Sequence, residues 1–107
     1  MGNRLDLHDE LIDMLGTKGE KLSRVYFQPD ISVNMTYPCI RYSLEGINHR
    51  RADDTIYSRT NRYEVTVIDP DPDSIIHEKI MEHFPMCVFN RAYVSDNLNH
   101  KSLTLYY

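Results

Sequence analysis

The stretch that most restricts what this chain can fold into is Arg62-Tyr-Glu-Val-Thr-Val-Ile-Asp-Pro-Asp-Pro-Asp73. Its first part alternates. Tyr63, Val65 and Val67 point to one side of an extended backbone, and Glu64 and Thr66 to the other, which is the period of a half-buried strand. Pro70 and Pro72 bring no amide donor to a ladder, so the strand ends near Pro70. A helix is expected over 71–84, with Asp71 as its cap, Pro72 at the first helical position, and Asp73 and Ser74 in the first turn. Ile76, Ile80 and Phe84 fall on one stripe, with Ile75 beside it, and Pro85 ends the element. Asp69, Pro70, Asp71, Pro72 and Asp73 therefore read as a structural corner between strand and helix.

Other elements follow from the same two periods. Leu7, Leu11, Met14 and Leu15 form one stripe, widened by Ile12, in a helix over 6–15 with Asp6 as cap and Gly16 as stop. Lys18 to Ser23 is a polar connection. Val25, Tyr26 and Phe27 form a short edge strand ended by Pro29, and residues 28–36 an extended loop. In 37–44, Ile40, Tyr42 and Leu44 share one side, and Cys39, Arg41 and Ser43 the other. Two final strands, 87–95 and 100–107, flank a turn of composition Asp96-Asn-Leu-Asn99.

Residues 45–61 join two good strands through a polar interlude too long for an ordinary hairpin loop. It reads either as a solvated loop or as an arm that orders against a partner. Arg50, Arg51 and Arg59 against Asp53 and Asp54, with Tyr57, would then be the contact groups. The order of elements predicts a single α+β domain over 1–107: a mostly antiparallel sheet with both helices on one face. The other face, half polar, is left either solvated or paired with a neighbour.

The bulk numbers exclude more than they assign. With 107 residues, 41 % of them hydrophobic, the chain suits one domain with a modest core. A net charge of −4 carries no general nucleic-acid footprint. No apolar run reaches the roughly 18 residues of a membrane span, and the start of the chain lacks a signal segment and a myristoylation pattern. Cys39 and Cys87 allow one disulfide or two inert thiols.

No catalytic or metal-binding set emerges, and no cofactor is implied. Asp69–Asp73 lacks the Gly and the twelfth-position Glu of a calcium loop, where Ser74 and Ile80 stand instead. His77-Glu-Lys-Ile-Met81 has Met81 where a zinc helix needs its second histidine. Pro85 breaks the helix on which His83 and Cys87 would face each other. His8, His49 and His100 read as surface residues. The four glycines form no phosphate loop, and an enzyme is not expected.

Tyr37-Pro-Cys-Ile-Arg-Tyr42, the 62–74 stretch, and Asp96-Asn-Leu-Asn-His100 with its aromatic C-terminus together resemble the small tail terminator or tail-completion proteins of long-tailed bacteriophages. The likeness covers most of the chain. It implies an antiparallel sheet packed against helices, and a ring, usually hexameric, on the head-proximal end of the tail tube. Such a ring ends tube polymerisation and offers the surface on which the DNA-filled head docks. Its implied partners are other copies of itself, the tail tube protein and the head–tail connector protein, with assembly in the host cytoplasm. DNA would pass the lumen without specific binding, which an acidic chain suits. A ring needs two different surfaces to meet, and the Val25–Phe27 edge and the 45–61 arm are the candidates. Head-completion or stopper proteins of the connector fit the same pattern. A small non-catalytic binding module using the uncovered sheet face is the reading from another class.

Overall fold

The computed structural model describes residues 4–16, 24–29, 37–52 and 55–107, with backbone alone described over 48–52 and 55–59. Two helices and five strands follow in the order α1 (Arg4–Leu15), β1 (Val25–Phe27), β2 (Cys39–Ala52), β3 (Thr55–Asp69), α2 (Ile76–His83), β4 (Cys87–Ser95) and β5 (Leu98–Tyr106). The strands form one sheet in the order β1-β2-β3-β5-β4. Only the β1–β2 pair is parallel. The fold is the expected α+β arrangement, with no described helix long and apolar enough to cross a membrane.

The alternation in β3 sets the core. Val65 lies between Tyr42 and Leu103, and Tyr63 between Leu44 and Leu105, in adjacent strands. Ile40, Tyr42, Tyr63, Val65, Val67, Leu103 and Leu105 are buried on this face. Leu7 and Leu11 of α1 and Ile80 and Phe84 of α2 cover them in one apolar cluster. Each such side chain contributes about 1.5–3 kcal/mol on removal from water. Gly16 closes α1 with φ of +82°, a left-handed residue that suits glycine, and its amide donates to Ile12. The helix begins at Arg4, so Asp6 sits inside its first turn instead of capping it.

The corner after β3 differs from expectation. α2 begins at Ile76, not Asp71, and its N-cap position is Ile75 with no side-chain cap. The aspartates are the reason. The amide of Asp71 donates to Asp69 Oδ1 at 2.8 Å, and that of Asp73 to Asp71 Oδ1 at 2.9 Å. Aspartates that bond the backbone two residues on hold it in turns and compete with a helix. From β5, Asn99 Nδ2 donates to the Asp69 and Pro70 carbonyls, and Lys101 Nζ to that of Ser74. The corner is structural, as read, but it is a turn pinned to the sheet.

The β4–β5 turn is narrower than its composition implied. Asp96 and Asn97 both have positive φ (54° and 63°), the conformation of a tight two-residue hairpin, so β5 already begins at Leu98.

The largest correction concerns residues 45–61. Residues 45–52 and 55–61 are strand, not loop. β2 and β3 stay paired from Cys39↔Ile68 out to Ala52↔Thr55, with irregularities at Leu44/Gly46 and Arg50/Arg51. β5 accompanies β3 only as far as the backbone bonds between Asn61 and Tyr107, and β1 accompanies β2 only over residues 40–42. Beyond those rows, among the described residues, β2 and β3 continue as a two-stranded ribbon. The molecule is correspondingly elongated, with extents of 51 × 29 × 28 Å.

Candidate functional site

Two features stand apart from the core: the ribbon and the uncovered sheet face. At the ribbon's root, Gly46 pairs with Arg62. The Arg62 guanidinium lies so close over Gly46 that a Cβ there would come within 2.9 Å of Nη2. Further out, Arg50 pairs with Ser58, Arg51 with Ile56 and His49 with Arg59. The two strands thus bring Arg50, Arg51, Tyr57 and Arg59 onto one projecting element. Asp53 and Asp54 lie outside the described residues. Isolated two-stranded ribbons are marginal in water, and among the described residues no further strand pairs with either edge of the ribbon beyond the rows that β1 and β5 reach.

The expected edge strand β1 divides its roles. Val25 is buried in the core, so its side chain serves folding rather than contact. Phe27 packs on Tyr42 at 4.9 Å between centroids and takes the Arg4 guanidinium over its ring at 4.4 Å. Tyr26 is half-buried between them in sequence.

The uncovered face of the twisted sheet holds a concavity of about 410 Å³. Arg41, Ser43 and Glu45 line it from β2, Glu64 and Thr66 from β3, and Tyr93, Ser95 and His100 from β4 and β5. Tyr93 stacks on His100 with centroids 4.7 Å apart and planes 15° from parallel, and Arg91 lies 5.0 Å from the Tyr93 centroid. Glu64 accepts a hydrogen bond from Ser102. His100 Nδ1 donates to the Leu98 carbonyl at 3.0 Å, which orients its ring. Both signs of charge and several hydroxyls converge here, and the face is a polar cradle. Sequence reasoning found the polar alternation of these strands but not their convergence, which depends on register across four strands.

The remaining titratable groups are structural in their surroundings. Cys39 and Cys87 are free thiols. Burial pushes Cys39 up to about 12 and raises Cys87 as well, which disfavours the reactive thiolate. His83 Nε2 lies 3.2 Å from Glu10 Oε1, tying α2 to α1. The Glu10 carboxylate in turn pushes the Tyr107 phenol up to about 12. His8, expected at the surface, is half-buried against Tyr42 and lowered chiefly by that burial. Among the described residues no group of three or more His, Cys, Asp or Glu side chains gathers as a metal site. No model of a known protein family matches the chain, and no curated protein sequence matches it.

Proposed function

We propose that this chain is a structural virion protein. It caps the head-proximal end of a phage tail tube as an oligomeric ring, ends tube polymerisation and provides the head-docking surface. The observation that carries this reading is the ribbon. A chain that extends two paired strands well past its own core, on a segment whose sequence carries Arg50, Arg51 and Arg59, gains most from a neighbouring subunit. The sequence resemblance to tail terminators supplies the setting. The same geometry serves a head-completion or stopper ring, and the order of assembly separates the two.

The test is mass in solution by light scattering across a concentration series, with negative-stain images, followed by addition to polymerising tail tube protein. A closed ring that halts tube growth is expected. Tubes that lengthen unchecked, with the chain neither on their ends nor on the connector, would remove the reading.

The polar cradle favours a second reading, a small non-catalytic binding module. In that case a chain lacking the ribbon would keep its full binding activity, whereas a ring protein lacking it would not assemble.

A further inference from the structure

Charge is divided unequally between the two ends of this fold. Residues 4–15 and 69–83, the helices and the corner, hold nine carboxylates against Arg4 and Lys79, a net −7 in a chain whose total is −4. Residues 46–62 hold four arginines against two aspartates, a net +2. Asp9, Glu78 and Glu82 are exposed on the outer side of the helices, which the Glu10–His83 contact joins into one layer. The ribbon cannot serve its own layer. Five ladder rungs beyond Asn61, at about 3.4 Å each, carry it roughly 17 Å past the sheet rows that the helices cover.

We infer that the ribbon of one copy docks on the acidic helix layer of the next. This rests on the ring reading and names the two surfaces that meet in it. Two different patches of opposite sign on one chain give a head-to-tail contact, the kind that closes into rings. Pairing of ribbon with ribbon, or layer with layer, sets like charges together and is disfavoured. The contact is electrostatic at its rim, so association weakens as salt rises.

Two variants test this. Arg50→Glu/Arg51→Glu takes the ribbon from +2 to −2, and Asp9→Lys/Asp73→Lys/Glu78→Lys/Glu82→Lys, four exposed positions, takes the layer from −7 to +1. Circular dichroism and melting confirm that each keeps its fold. Each variant alone is expected to lose association by at least ~10-fold, because its ribbon and layer now carry the same sign. Mixed in equal amounts, they are expected to regain it, since each ribbon then meets a layer of opposite charge. A layer variant that assembles like the parent, or a mixture that stays monomeric while the parent forms rings, overturns the docking surface and leaves the ring reading intact. A parent chain that never associates, alone or with tail tubes, overturns both. Asp9→Asn/Glu82→Gln is the milder control, and an intermediate loss is expected.

Discussion

His8 Nδ1 lies 2.7 Å from the phenolic oxygen of Tyr42, joining the first helix to the middle of β2. Arg4 Nη1 donates to the same oxygen at 3.4 Å. The phenol can give its own hydrogen to His8 only where that nitrogen is the unprotonated one of a neutral imidazole. Burial first, then the nearby Arg4 charge, lowers His8 below its ordinary 6.5. Burial and Lys101 lower His77 in the same direction.

The sign of the pH dependence follows. Both imidazoles bind protons more readily in the unfolded chain, so their contribution is complete above pH 6.5 and is lost as pH falls through the lowered native values. The urea midpoint is expected to drop between about pH 7.5 and about pH 5, and His8→Gln with His77→Gln is expected to flatten that drop. An equally steep slope in the double variant would refute the assignment.

Tyr42→Phe removes one hydroxyl from a fully covered ring and takes from His8 its hydrogen-bond partner. A loss of about 1 kcal/mol is expected from denaturant unfolding. The loss should shrink in a His8→Leu background, where no acceptor is left behind.

Asn99→Ala frees the Asp69 and Pro70 carbonyls from β5. A cost of about 1 kcal/mol is expected. Faster amide exchange should appear at Asp71 and Asp73, whose amides are held by the two aspartate turns.

Excision of residues 48–60, with Asn-Gly as a two-residue link between the paired Ile47 and Asn61, cuts the ribbon at a point where both strands leave the core. The melting temperature is expected to change by only a few degrees, since the cluster of Leu7, Leu11, Tyr42, Val65, Ile80 and Leu103 that joins sheet to helices is left whole. Ring formation is expected to vanish. Retained assembly would place the subunit contact elsewhere.

Cys39 is fully buried, with its thiol pushed up to about 12. Ellman's reagent should label Cys87 slowly and Cys39 only at the rate of unfolding. Rapid modification of both in the native protein would contradict the packing.

The core was legible because burial leaves a period. Val65, Val67, Ile80 and Leu11 all sit where alternation or a helical stripe put them. The start of α2 was misread because Asp-Pro-Asp-Pro-Asp satisfies cap and turn statistics alike. What decides between them is the anchoring of the corner by Asn99 and Lys101, some 30 residues on. The pairing of residues 45–61, which read as a solvated loop or an arm, is hidden for another reason. Residues 48–60 carry no apolar alternation, and backbone pairing by itself writes no pattern into side chains. The cradle was missed because Arg41, Glu64 and His100 meet only once three strands are in register.

The order of the sheet also has a consequence for synthesis. β5 lies between β3 and β4, although β4 precedes it in the chain. As the polypeptide leaves the ribosome, β2 and β3 can zip together early, but the far edge of β3, with Tyr63, Val65 and Val67, stays open until residues 98–106 have emerged. During that interval the nascent chain offers an apolar strand edge to any other strand nearby, including the same segment of another polypeptide on the same message. A holding chaperone should act in this window, and β4 enters the sheet only together with β5, as a preformed hairpin.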